Sequence, residues 1–127
     1  MATRENHISV RGISLHQEAC QQVSVGDLVM FEPEPANHHD PNAIAVLVMV
    51  GGGLVKVGYV PRELTAGLGR HVLAMKSGDD EYGYWNAHVS KADVIKDHGD
   101  HLNGMTGVNV IFSANEYIPK QQSVSRR

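Results

Sequence analysis

Apolar positions fall in short runs, and their spacing changes along the chain. From Ala43 to Val50 nearly every position is apolar, and branched residues dominate. A run of that length and composition predicts a central strand buried on both faces. Gly51-Gly52-Gly53 follows, and glycine's tolerance of positive φ predicts a hairpin turn there. Leu54 to Val60 returns as the partner strand, with Val55, Val57 and Tyr59 assigned to one face. Pro61 suits the first turn of a helix, where its missing N–H has no partner anyway. Leu64, Leu68, Val72 and Met75 continue as a helical stripe. Gly67 and Gly69 each weaken that helix by roughly 1 kcal/mol relative to alanine.

The flanking segments are shorter. His7 to Ile13 alternates weakly, with Ile8 and Val10 on one face, and predicts a strand. Gly12 inside it marks a bend or a close backbone approach. Leu15 to Gln22 is a polar loop with room for one helical turn around Ala19. Val25-Gly26-Asp27 is a turn. Leu28 to Phe31 is a short strand stopped by Pro33 and Pro35, which cannot donate to a ladder. Tyr82 to Val89 and Val108 to Ser113 predict two more strands, with a long connection from Lys96 to Thr106. Six short strands with tight turns, and one main helix after the fourth, favour a small closed barrel over a βαβ sheet. Residues 1–118 read as one domain and 119–127 as a disordered tail.

Composition narrows the function classes. Apolar residues make up 42% of the 127 and charged residues 20%, which argues for a folded chain. The net charge of −3 speaks against a sequence-blind duplex-DNA binder, which would be basic overall. It leaves room for a small local site. Cys20 is the single cysteine, so no internal disulfide can form, as suits a reducing compartment. The longest apolar run is too short to span a bilayer, and the N-terminus has no apolar signal core. The expectation is a soluble, cytoplasmic protein. Eight histidines invite a metal, above all around His38-His39-Asp40 and His98-Gly99-Asp100-His101. A zinc site normally needs three or four ligands on rigid elements, and no Cys pair or His-Glu-x-x-His is present. Gly51-Gly52-Gly53 lacks the lysine and helix of a phosphate-binding loop. No metal, no cofactor and no catalysis are expected.

The chemistry concentrates between Glu32 and Leu64. A polar loop, Asn37-His38-His39-Asp40, directly precedes the apolar strand, and Arg62 follows the partner strand. Pairing of those strands should bring the two polar ends together, with functional loops held by rigid elements. Asn37 and Asp40 either shape the loop through backbone hydrogen bonds or face a ligand. Arg62 sits at a helix start, which already favours an anion; otherwise it is solvated or pairs with Glu63 or Glu34. Tyr59 is either a core tyrosine or part of the same site.

Two blocks, Asn37-x-x-Asp40-Pro41-Asn42-Ala43-Ile44-Ala45-Val46 and Val57-Gly58-Tyr59-Val60-Pro61-Arg62-Glu63-Leu64, resemble the HIRAN domain. The resemblance runs from about residue 8 to 75, with a looser fit to 118. It implies an OB-like or SH3-like barrel in which Asn37 and Asp40 help form a pocket for the free 3′ end of a DNA strand. It also implies a basic residue at Arg62 and an aromatic at Tyr59. The chain departs from the pattern twice. An aromatic usual after the first-strand glycine is replaced by Ile13-Ser14-Leu15-His16, and a usual tyrosine by His39. Stacking on an aromatic is worth roughly 1–3 kcal/mol per base, and histidine stacks less well. Asp40, acceptor-only when ionised, would favour a terminal 3′-hydroxyl over a 3′-phosphate. The candidate site is therefore Leu15, His16, Asn37, His38, His39, Asp40, Tyr59 and Arg62. The expected function is a non-catalytic module engaging single-stranded DNA, preferably at a 3′ end. The rival is a protein–protein interaction module on the same barrel, favoured by Leu15, His39 and the net charge.

Overall fold

A computed structural model describes residues 4–65, 85–96, 102 and 104–114. Strand β1 (Arg4–Ser9) leads into a 3-10 turn (Ile13–Leu15) and a one-turn helix, α1 (Gln17–Cys20). Strands β2 (Val29–Pro33), β3 (Ile44–Val50) and β4 (Gly53–Tyr59) follow, then a helical turn at 62–65. Strands β5 (Trp85–Val94) and β6 (Thr106–Ala114) complete the described elements. All pairings are antiparallel. They build two three-stranded sheets, β1-β6-β5 and β2-β3-β4. The fold is mainly β, in line with the short apolar runs. The expected strand through Ile13 stops at Ser9, because the chain turns at Gly12 and buries Ile13 from the 3-10 turn. The helical stripe beyond residue 65, the start of the 82–89 strand, His98, His101 and the 119–127 tail lie outside the described residues. Among the described residues, no helix is long and apolar enough to cross a membrane.

The core lies between the sheets. Val46, Val48, Val57, Val89 and Val110 are completely buried, and burial of a side chain of this size stabilises by roughly 1.5–3 kcal/mol. Phe31 of β2 meets Phe112 of β6 edge to face, ring centroids 5.5 Å apart. β3 is the central strand of its sheet, as its apolar run predicts. Its far end is less enclosed than expected, since Met49 is exposed. Val50 pairs with Gly53, so the hairpin loop is Gly51-Gly52. Their φ angles, 58° and 88°, are those of a two-residue turn that demands positive φ at both positions.

One irregularity decides which way the site faces. Val46 lies opposite Gly58, but Leu47 lies opposite Lys56, so Val57 is an extra residue in β4. Such a bulge shifts the in–out alternation by one position. Val57 keeps its place in the core, whereas Tyr59 turns to the face that carries Lys56. The assignment of Tyr59 to the face of Val55 and Val57 is thereby corrected.

The two sheets are joined at two corners. Arg11 and Tyr59 exchange both backbone hydrogen bonds at 2.8 Å. Leu28 bridges to His88, flanked by Val89 N–H donating to Asp27 O (2.9 Å) and Gly26 N–H donating to Val89 O (2.8 Å). No continuous ladder among the described residues closes the strands into a barrel. At the first corner, a side chain on Gly58 would place its Cβ 2.3 Å from Arg11 O, so only glycine lets the backbones approach this closely. The Gln17 side chain pins α1 to β6: its Nε2 donates to Thr106 O (2.9 Å) and its Oε1 accepts from Thr106 N–H (2.7 Å).

Candidate functional site

Register places the polar segments together. Pro33 pairs with Ile44 and Ala45 pairs with Tyr59, so the 34–43 connection and the exit of β4 share one end of the second sheet. The connection is held by its own Asx chemistry. Asn37 Oδ1 accepts from the N–H groups of His39 (2.8 Å) and Asp40 (3.0 Å). Asp40 Oδ1 accepts from Asn42 N–H at 2.9 Å. The turn-forming role of both residues is real, and for Asp40 it is not the whole role. Its second oxygen accepts from Arg62 Nε at 3.3 Å. Asp40 keeps 20% of its side chain exposed, Arg62 78%. Arg62 thus pairs with neither Glu63 nor Glu34. Glu63 approaches Arg11 at 3.6 Å, and Glu34 binds Lys56 at 2.6 Å.

Glu34 and Lys56 form the framework behind Tyr59. Lys56 Nζ donates to Glu34 Oε2 (2.6 Å) and to the Tyr59 hydroxyl (3.1 Å). That hydroxyl donates to Glu34 Oε1 at 2.9 Å, and Asn37 Nδ2 donates to the same oxygen at 3.1 Å. The hydrogen bond from Lys56 holds the Glu34 carboxyl below its ordinary range, and that bond holds the Lys56 ammonium above its own. The Tyr59 hydroxyl both donates and accepts inside this network, and the Lys56 ammonium also lies over the ring, 5.1 Å from its centroid. The sequence points to Lys56 only as a neighbour and to Glu34 only as a partner for Arg62. A lone lysine in an apolar strand and a glutamate between two prolines are the available signals.

His16 sits edge-on to Tyr59, ring centroids 6.3 Å apart. Burial, and then the Lys56 charge, push its pKa down, against a smaller upward pull from Glu34. Gly12 leaves the flank of the tyrosine ring open: a Cβ there would lie 3.6 Å from Cδ2. Leu15 points into solvent with 83% of its surface exposed. His38 and His39 are exposed on the loop. Asn37, Asp40, Tyr59, Arg62 and His16 are therefore gathered around the Glu34–Lys56 pair, whereas Leu15, His38 and His39 lie at the margin.

The arrangement supplies an exposed cation beside a carboxylate, an aromatic ring fixed from behind, and backbone loops to carry them. That set suits contact with a phosphodiester strand. No group of three or more His, Cys, Asp or Glu among the described residues is placed to hold a metal. The Cys20 thiol is buried and donates to Val57 O at 3.5 Å; burial pushes its pKa up, away from the thiolate that a nucleophile requires.

Comparison with known families finds that the model of the HIRAN domain matches residues 6–96. No curated protein and no solved structure matches the chain.

Proposed function

The chain belongs to the HIRAN domain family, and on that premise we propose that it is a non-catalytic module engaging single-stranded DNA, preferentially at a free 3′ end. HIRAN domains are in general nucleic-acid-binding domains. The observation that carries the finer reading is the Asp40–Arg62 contact, which Asn37 and Glu34 link by hydrogen bonds to the Tyr59 hydroxyl. Two acceptor positions of Asp40 are taken, by Asn42 N–H and by Arg62. An ionised carboxylate has about four, so it can still accept from a terminal 3′-hydroxyl. Arg62 would hold the neighbouring phosphate, and Tyr59 would stack a terminal base. In this reading the two sheets, joined at the Arg11–Tyr59 and Leu28–His88 corners, make an OB-like barrel pinched at both seams. Asn37 acts through the loop it shapes, His16 through the ring it braces, and Leu15, His38 and His39 border the strand. The single buried cysteine accords with a cytoplasmic setting.

One observation favours the second reading, a protein-interaction module. The sheet β2-β3-β4 exposes Met30, Met49 and Leu54, and Leu28 is exposed just before β2. Fluorescence anisotropy with a 5′-labelled single strand separates the two. The DNA-end reading expects tighter binding when the 3′ end is free than when it is blocked. Equal binding removes the end preference, and no binding to either leaves the interaction module in front.

A further inference from the structure

We propose that the open groove beside β1, β5 and β6 carries the sugar-phosphate backbone of the DNA strand whose 3′ end lies at Asp40 and Arg62. The inference rests on that reading of the end site and extends it to the rest of the strand.

The groove has a volume of about 1210 Å³, larger than the roughly 300–1,000 Å³ of pockets that enclose small ligands. That size suits a polymer lying along it better than a small molecule held within. The strand register lays a polar row across it. Ser9 stands opposite Asn109, and Asn109 opposite Lys91. With strands ~4.8 Å apart, the row spans ~10 Å and offers a hydroxyl, an amide and an ammonium in sequence. Arg11 and Lys96 also line the groove, and Asp93 is the single carboxylate among its described lining residues. The local excess of positive charge stands against a chain whose net charge is −3.

These cations are accessible. Lys91 and Lys96 are exposed, and among the described residues no ion pair engages either. Arg11 meets Glu63 at 3.6 Å with 62% of its side chain exposed, a pairing weak enough for a phosphate to displace. The groove adjoins the end site through two of its lining residues. Arg11 lines it and exchanges backbone hydrogen bonds with Tyr59, and Gly12 lines it beside the Tyr59 ring. A strand leaving Tyr59 therefore meets Arg11 first and Lys91 and Lys96 beyond.

The test compares 5′-labelled single strands of about three and about ten nucleotides, both with a free 3′-hydroxyl, since sites on such barrels cover ~4–16 nucleotides. The proteins are the wild type, Lys96→Gln, and the Lys91→Gln/Lys96→Gln pair. Lys96 lies beyond the last residue of β5, so its substitution leaves the ladder untouched, and thermal unfolding checks the double variant. The wild type should bind the longer strand at least about tenfold more tightly and with a steeper salt dependence. The double variant should keep its affinity for the short strand and lose most of the gain with length. Its slope of log affinity against log salt should fall by roughly 1.4, at about 0.7 for each phosphate no longer neutralised. Equal wild-type affinity for the two lengths overturns the groove and leaves the end site standing. A full length gain in the double variant, or equal losses for both lengths, overturns it too. Failure of the wild type to bind either strand removes the end site and the groove with it.

Discussion

Arg62 donates its Nε–H to Asp40 at 3.3 Å, across 22 residues of sequence, and so ties the β2–β3 connection to the chain leaving β4. The arginine remains largely exposed. An exposed pair contributes roughly 0–1 kcal/mol, so fold stability alone does not account for its placement. Arg62→Ala should leave the melting temperature nearly unchanged, weaken single-strand binding and lower the salt slope by roughly 0.7. An unaltered slope in a salt titration of the variant would place Arg62 outside the interface.

Tyr59 separates ring from hydroxyl. Its hydroxyl is held by Glu34 and Lys56, so the proposed function assigns the ligand contact to the ring. Tyr59→Phe should retain most single-strand affinity, whereas Tyr59→Ala should lose roughly 1–3 kcal/mol of stacking, about tenfold or more. Anisotropy titrations of the two variants decide it. If Phe and Ala lose equally, the hydroxyl itself touches DNA.

Gly58 permits the corner on which the candidate site is built. A Cβ there would lie 2.3 Å from Arg11 O and 2.6 Å from Val10 Cγ1. Gly58→Ala should destabilise by roughly 1–3 kcal/mol, as overpacking does, and lower Tm by several degrees. A variant that melts with the wild type would show that the Arg11–Tyr59 pairing yields without cost.

The Glu34–Lys56 pair sets a pH dependence of stability. Glu34 is held below its ordinary 4.5, chiefly by the Lys56 hydrogen bond. The folded state therefore binds fewer protons than the unfolded one in the acid range. The contribution is complete above pH 4.5 and is lost as pH falls below it. Lys56 is raised above its ordinary 10.5, so its share is complete below that pH and is lost as pH rises past it. Melting curves against pH should show a shallower acid limb for Glu34→Gln than for wild type. An acid limb of unchanged steepness would show that the pair contributes no linkage.

Much of this fold is legible in the chain. Branched apolar residues from Ile44 to Val50 fix a central strand, and Gly51-Gly52 can hardly be anything but a tight turn. The polar ends that flank this hairpin meet because the hairpin pairs. The bulge at Val57 is not legible: one inserted residue leaves the apolar pattern intact while reversing every side chain after it, so alternation alone puts Tyr59 on the core face. Ion-pair partners are equally hidden. Arg62 has Glu63 beside it and Glu34 within reach of a plausible loop, yet it meets Asp40, because pairing depends on where the 34–43 connection folds back. Glu34 and Lys56 become visible as a unit only when β2 and β4 are seen on either side of β3.

In the proposed function, strand-end recognition depends on Asp40. Its Oδ1 accepts from Asn42 N–H, an interaction that asparagine can keep, so Asp40→Asn removes the charge while sparing the turn. A charge-assisted bond from a 3′-hydroxyl is worth roughly 1.5–3 kcal/mol, about tenfold or more in affinity. The decisive measurement is the affinity of wild type and Asp40→Asn for one single strand ending in a 3′-hydroxyl or in a 3′-phosphate, with thermal unfolding recorded on the same samples. Wild type should prefer the hydroxyl end by at least about tenfold, and Asp40→Asn should lose most of that preference with Tm nearly unchanged. Equal wild-type affinity for the two ends would mean that Asp40 reads no strand end.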